Sequence, residues 1–154
     1  MNTTGLVGSS GRALLERAIA YAVAAHAGQR DKNGEPYILH PLRVMEAGVT
    51  YEEKIVGVLH DVVEDCGGWP AFTLDIPLSL RASLDAISKR KRDDGRKELN
   101  SAYLRRVKLD PVARAVKIND LRDNMREDRH TRLSVKMRYR MARRYPAALR
   151  FLLA

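Results

Sequence analysis

The chain has 154 residues, of which 45% are hydrophobic, and this length and composition suit one globular domain and exclude a largely disordered protein. Its 28 Lys and Arg against 19 Asp and Glu give a formal net charge of +9, which favours an anionic partner such as nucleic acid, an acidic membrane surface or a phosphorylated metabolite. The single cysteine, Cys66, excludes an internal disulfide and a zinc site built from cysteines.

The first half of the chain has the hydrophobic spacing of helices. Its N-terminus is polar, with neither a basic start nor an apolar stretch, so we expect no signal peptide and a cytoplasmic protein. No apolar run approaches the roughly 18 residues that a membrane span needs. We predict a flexible N-terminus over residues 1–9, a helix capped by Ser9 or Ser10 that runs to about His26, a loop over 28–36, a short helix from Pro41 to about Gly48, and a third helix, capped by Thr50, that runs to about Asp65.

The second half continues with helices separated by loops that Gly and Pro mark. We predict a loop over 67–77, helices over about 78–89 and 97–108, a helix capped by Asp110 that runs to about Arg126, and a last helix over about 133–153 that is bent at Pro146. The sequence contains no long alternating strand pattern and no internal repeat. The predicted fold class is therefore all-α, a single-domain helical bundle over residues 10–154.

The predicted third helix carries one polar sector on an otherwise apolar surface. At 100° per residue, its polar side chains fall within an arc of about 140°. Carboxylates buried side by side are very costly unless a cation or hydrogen bonds offset them, which favours a bound divalent metal ion. A polar sector that faces solvent on a surface helix is the alternative. The residues of the sector are His60, Asp61, Glu64 and Asp65.

Two other segments carry residues that suit the same metal ion. Lys117, Asp120 and Asn124 share one helical face, a weak signal by itself because Asp and Asn on a helix often face water. His40 precedes Pro41 at the exit of the predicted loop. Two imidazoles with two carboxylates suit Mn, Fe or Zn and leave positions open for water and substrate, as a catalytic site requires. The predicted ligands of one divalent ion are His40, His60, Asp61 and Asp120.

Three stretches in the order His…His-Asp…Asp resemble the motifs of the HD phosphohydrolase superfamily, and within it the RelA/SpoT-type hydrolases. They are HAGQRDKNGEPYILHP over 26–41, LHDVVED over 59–65 and VKINDLRDNM over 116–125. The resemblance runs from about Ala13 to the final helix and implies an all-helical bundle of the HD phosphohydrolase type. It further implies a small stand-alone alarmone hydrolase that uses Mn²⁺ to remove pyrophosphate from the 3′ position of (p)ppGpp. A chain of this length has no room for the synthetase and regulatory domains of long family members.

The same resemblance implies roles for individual residues. The four predicted ligands match the family's metal ligands, and His26 matches a family position that we interpret as structural. Glu64 and Asp65 match the catalytic acidic pair, and Asn124 matches a residue near the reacting phosphate. For the nucleotide and its phosphates we predict Arg30, Lys32, Tyr37 and Lys117, with the basic residues between Lys89 and Lys97 as further contacts.

Departures from the family pattern leave several functions open. They are Asp31 for Arg, Asn33 for Ser, Cys66 for Thr, Asp123 for His, and Glu127 for a small polar residue. These positions concern nucleotide recognition more than the metal, so an HD hydrolase of another nucleotide phosphate, or of a nicotinamide dinucleotide phosphate, is the alternative. A nuclease and a non-catalytic basic module that binds nucleic acid are further alternatives. We expect no stable nucleic-acid partner, because aromatic residues are only 6% of the chain and a metal-free acidic site repels phosphate.

Overall fold

The computed structural model describes residues 8–154 and confirms the all-α fold class. Within that range, β structure is limited to two isolated bridges, Arg30–Pro36 and Lys91–Lys97. Across 8–154, none of the helices has the length and hydropathy to cross a bilayer. The helices are α1 (Gly8–Ala25), α2 (Leu39–Ala47), α3 (Tyr51–Leu59), α4 (Val62–Asp65), α5 (Leu78–Ile87), α6 (Asn100–Leu109), α7 (Pro111–Asn124) and α8 (Val135–Leu153), with 3₁₀ turns at Trp69–Ala71 and Glu127–Arg129.

Helix α3 is the centre of the bundle and packs against α1, α2, α5 and α7. Its side chains at Ile55, Val56, Val58 and Leu59 have no exposed surface. Each such burial contributes about 1.5–3 kcal/mol, which fixes the position of this helix among its neighbours. Because α3 leads directly into His60, the hydrophobic core also fixes where the first polar residues after the helix lie.

The predicted N-terminal cap of α3 is confirmed. Thr50 Oγ1 accepts a hydrogen bond from the Glu53 N–H at 3.1 Å, and Glu53 Oε2 accepts one from the Val49 N–H at 2.7 Å. The Thr50 side chain therefore satisfies one of the donors that a helix start leaves unpaired, and the Glu53 side chain satisfies the donor of the residue before the cap.

The prediction that this helix continues to Asp65 is wrong, because the helix is interrupted at His60 and Asp61. In a continuous helix the Gly57 carbonyl would accept the Asp61 N–H. Here it accepts His60 Nδ1 at 2.6 Å. A side chain has taken the place of the next backbone donor, and α4 starts a separate short turn.

Other helix ends differ from the predictions by the few residues usual for boundaries. Of the flexible segment predicted over residues 1–9, residues 1–7 lie outside the described residues, whereas Gly8 and Ser9 already belong to α1. Helix α6 starts at Asn100 and not near residue 97, because residues 90–98 form a turn that reverses the chain. In this turn the Arg92 N–H donates to the Arg96 carbonyl at 2.7 Å, and the Glu98 N–H donates to the Arg90 carbonyl at 2.9 Å. Helix α8 runs through Pro146 as one helix.

Gly57 lets α2 and α3 approach closely. A Cβ at this position would lie 3.1 Å from Met45 Cα and 3.2 Å from Met45 N, atoms that cannot move without shifting α2. We expect Gly57→Ala to lower the free energy of unfolding by about 1–3 kcal/mol, the usual cost of overpacking. Urea unfolding followed by circular dichroism measures this change. Lys54→Ala, on the same helix, is the control, and an equal loss in both variants would contradict the close-approach argument.

Candidate metal centre and cleft

Three buried side chains from separate helical segments converge at one point. His40 lies in the first turn of α2, His60 directly follows α3, and Asp120 lies on α7. One ligand atom of each lies within 4.8 Å of the others. His40 Nε2 and His60 Nε2 are 3.1 Å and 3.6 Å from Asp120 Oδ1. The helix packing thus brings together three of the four side chains predicted from sequence to bind the ion.

Asp61, the fourth predicted ligand, lies at the edge of this cluster. Its Oδ2 is 3.0 Å from His60 Nε2 and 3.6 Å from His40 Nε2, and its side chain is 21% exposed. Tyr37 donates its hydroxyl to the same oxygen at 2.6 Å. Burial and the charge of Asp61 raise the pKa of Tyr37 far above its ordinary value, so the phenol remains a donor. The Tyr37 ring in turn packs 5.0 Å from that of buried His26, which is consistent with a structural role for this histidine.

Each of the two imidazoles points its Nε2 toward the carboxylates. Because His60 Nδ1 donates to the Gly57 carbonyl, the neutral ring carries a lone pair at Nε2, and this buried atom lacks a hydrogen-bond partner. Burial disfavours the charged imidazole, but the charges of Asp61 and Asp120 raise the pKa of His60 well above its ordinary value. A proton or another cation must therefore occupy this point, and two imidazoles beside two carboxylates form a donor set that fits a divalent ion.

Asp120 is held from two sides by residues of its own helix. Lys117 Nζ donates to Oδ2 at 2.7 Å, and Asn124 Nδ2 donates to Oδ1 at 2.8 Å. Burial opposes ionisation, yet Lys117 and the two imidazoles keep the pKa of Asp120 well below its usual range. Lys117 and Asn124, predicted to contact substrate and the reacting phosphate, thus both contact the aspartate while they also line the cleft above it.

The cluster lies in an open cleft of about 550 Å³. Three tyrosines, Tyr37, Tyr103 and Tyr145, form part of its wall. The cleft is otherwise rich in cations, as expected for an anionic ligand. Its Lys and Arg side chains are Arg30, Lys32, Lys89, Lys97, Lys117, Arg129 and Arg144. With Tyr37, all four residues predicted to contact the nucleotide or its phosphates are in its lining.

Only one residue of the predicted acidic pair, Glu64 and Asp65, lies in the cleft. Glu64 lines the cleft, where its carboxylate accepts the Lys89 N–H at 2.9 Å and Lys97 Nζ at 2.8 Å. Asp65, the next residue of α4, is exposed and is not part of the lining. Partial desolvation and the charges of Asp61 and Glu64 raise the pKa of Asp65 to about 6.

A second group of charged residues behind His40 was not predicted as part of the site. Asp123 is buried, and its carboxylate contacts His40, Arg43 and Arg129. Burial opposes ionisation, but hydrogen bonds from His40 and Arg43 hold the pKa of Asp123 below its usual range. The sequence offered one signal, since Asp123 is one turn beyond Asp120 and so faces the same side of α7.

Comparisons with known proteins agree with these observations. No protein-family model matches the chain. A guanosine-3′,5′-bis(diphosphate) 3′-pyrophosphohydrolase of Aquifex aeolicus is 44% identical over 55 residues, which are 33% of this chain and 8% of that protein. A GTP pyrophosphokinase of Streptomyces coelicolor is 30% identical over 125 residues, 75% of this chain and 15% of that protein. The bifunctional (p)ppGpp synthase/hydrolase SpoT of Escherichia coli K12 is 48% identical over 52 residues, 30% of this chain and 7% of that protein.

The chain thus spans 15% or less of the length of these relatives. A solved structure, of a metazoan SpoT ortholog that hydrolyses ppGpp, matches with a TM-score of 0.61 over 95% of this chain and 89% of that one. At 17% identity this likeness shows the fold. Together, the sequence matches and the fold show that the chain belongs to the HD-domain proteins of the RelA/SpoT type.

Proposed function

We propose that the chain is a cytoplasmic, metal-dependent phosphohydrolase that removes the 3′-pyrophosphate of (p)ppGpp and uses one Mn²⁺ ion. The buried, unpartnered Nε2 of His60, which faces two carboxylates at the floor of a basic cleft, carries this proposal. The proteins named as 3′-pyrophosphohydrolase and SpoT among the relatives support the substrate. The structural neighbour, whose length the chain nearly matches, supports hydrolysis by a domain of this size.

His40, His60, Asp61 and Asp120 would hold the ion, which supplies a Lewis acid and lowers the pKa of a bound water. Around them the chain's own residues orient the site. Tyr37 fixes the Asp61 carboxylate by donating to Oδ2 at 2.6 Å. Because the phenol stays protonated, it cannot add a further negative charge where the substrate's phosphates approach.

Glu64 would accept a proton within the cleft, which its carboxylate lines. Its Oε1 and Oε2 accept hydrogen bonds from the Lys89 N–H and from Lys97 Nζ, which orient the carboxylate in the wall. A positioned carboxylate in the cleft serves as a general base or relays a proton to solvent. Asp65, with a pKa of about 6, would exchange that proton with bulk water.

The cations of the cleft would bind the phosphates. Arg30 and Lys32 reach it from the loop before α2, and Arg129 and Arg144 reach it from the C-terminal part of the chain. Charge-assisted hydrogen bonds from such groups are about twice as strong as neutral ones, and they stabilise the charge that develops on a departing pyrophosphate.

The first test is hydrolysis itself. We expect purified chain with Mn²⁺ to release pyrophosphate from ppGpp, and Asp61→Asn to lower kcat by at least about 100-fold, because the amide keeps the shape and loses the charge. Pyrophosphate release, measured with and without a chelator, checks this. Asp85→Asn, which changes a carboxylate that pairs with Arg90 outside the cleft lining, is the control. Folded, Mn²⁺-loaded wild-type protein that leaves ppGpp intact would contradict the proposed substrate.

Another nucleotide phosphate is the second candidate substrate. Asp31 brings a carboxylate into the lining of the cleft. Its Oδ1 accepts the N–H groups of Asn33 (2.8 Å) and Glu35 (3.0 Å), so it stabilises the loop, but its charge still repels any phosphate placed nearby. A phosphate-release screen over nucleotides and nicotinamide dinucleotide phosphates separates the two candidates. The compound with the highest kcat/KM identifies the substrate.

A further inference from the structure

The two nitrogens of the His40 ring face two different aspartates. Nε2 is 3.1 Å from Asp120 Oδ1 in the proposed metal site, whereas Nδ1 is 2.6 Å from Asp123 Oδ2 on the opposite side of the ring. Asp123 is only 7% exposed, and it is 83 residues from His40 in the chain, so the packing of α7 against α2 creates the contact.

Two arginines keep Asp123 in its charged form and in place. Arg43, on α2, donates Nε to Oδ1 at 2.6 Å and Nη2 to Oδ2 at 3.1 Å, a bidentate contact. Arg129 donates Nη1 to Oδ2 at 3.0 Å. A carboxylate that two guanidinium groups contact is ionised and can only accept hydrogen bonds.

The proton between His40 and Asp123 is therefore assigned to the imidazole. Arg129 Nη1 also lies 2.8 Å from His40 Nδ1, but its hydrogens have acceptors in Asp123 Oδ2 and in Asn124 Oδ1 at 2.6 Å. With Nδ1 protonated, the neutral ring carries its lone pair on Nε2, which faces Asp120.

We propose that Asp123 is a positioning residue of the metal site, which fixes the tautomer and orientation of His40 and raises the affinity of its Nε2 for the ion. A carboxylate hydrogen-bonded to a metal-binding imidazole has this effect in many metal sites. The family that the chain resembles usually has histidine at position 123, so the carboxylate is a feature of this chain's own sequence. The inference rests on the metal site of the proposed function.

The test is the affinity for Mn²⁺ alone, without nucleotide, measured from the signal of free Mn²⁺ in electron paramagnetic resonance titrations. We expect Asp123→Asn to raise the Kd for Mn²⁺ by about 10- to 100-fold, the usual effect of removing such a partner. We also expect the visible absorption bands of the protein saturated with Co²⁺ to shift, because His40 becomes a weaker donor. A purely structural role of Asp123 would leave that spectrum unchanged.

Asp94→Asn is the matched control. It removes one negative charge from an exposed carboxylate that pairs with Arg92 and whose contacts do not include His40 or Asp123. If Asp123→Asn does not fold, the double variant Asp123→Asn/Arg43→Gln replaces it, since it also removes one of the two guanidinium charges that Asp123 balances. A Kd within about threefold of the control, or an unchanged Co²⁺ spectrum, overturns the inference. Failure of wild-type protein to bind Mn²⁺ would instead refute the metal site of the proposed function.

Discussion

Saturating Mn²⁺ is expected to raise the Tm of the wild-type chain by about 5–10 °C and to leave the Tm of His60→Ala unchanged. An ion that binds only the folded state at 100 times its Kd contributes about 2.7 kcal/mol, and in a domain of this size each kcal/mol shifts the Tm by about 2–4 °C. His60→Ala removes Nε2, a buried nitrogen without a hydrogen-bond partner, and leaves the proposed site with one ligand fewer. Differential scanning calorimetry with and without Mn²⁺ measures both shifts.

His130→Ala is the control for this experiment. It removes another imidazole, whose Nε2 donates to the Asn124 carbonyl at 2.6 Å and which is not part of the three-residue cluster. The control should keep the shift induced by Mn²⁺. An equal shift in wild type and His60→Ala would mean that the ion binds elsewhere on the chain, and the proposed centre would be wrong.

The fold could be predicted because its signals are local. Thr50 with Glu53, and Asp110 with Pro111, mark helix starts by side-chain caps that need no knowledge of the rest of the molecule. Alternation between helical spacing and Gly- or Pro-bearing loops then determined the fold class. The signal failed at His60, where a side-chain donor to Gly57 replaces a backbone donor. Helical periodicity does not show whether a side chain will replace a backbone donor in this way.

The site was predicted only in part, for a related reason. His40, His60 and Asp120 followed from the chemistry of metal ligands and from the three resembling motifs, and the structure brings them together. The contact between Asp123 and His40 could not be read from either segment alone, because it depends on the packing of α7 against α2. The sequence showed Asp123 as a departure from the family pattern and placed it one turn beyond Asp120, but only the tertiary structure identifies His40 as its partner.

Lys117→Met should destabilise the metal-free protein strongly, because it leaves the buried carboxylate of Asp120 without its ammonium partner. Lys117 is 19% exposed and Asp120 5%, and breaking a buried pair from one side costs about 3–5 kcal/mol. The expected decrease in Tm is about 6–20 °C. The contrasting control is Lys97→Met. It breaks a pair with Glu64 in which the lysine is 57% exposed, and such a pair contributes about 0–1 kcal/mol.

Mn²⁺ distinguishes an electrostatic cause of this loss from a packing defect. With Lys117 gone, Asp120 has no neighbouring ammonium to compete with a divalent cation, so Mn²⁺ should raise the Tm of Lys117→Met by more than it raises that of wild type. A packing defect, for instance one beside the Tyr103 ring that lies 5.4 Å from Lys117 Nζ, would lower the Tm equally with and without the ion. Equal Mn²⁺ shifts in Lys117→Met and wild type would therefore show that Lys117 contributes mainly by packing, and that its charge does not balance Asp120 in the metal-free state.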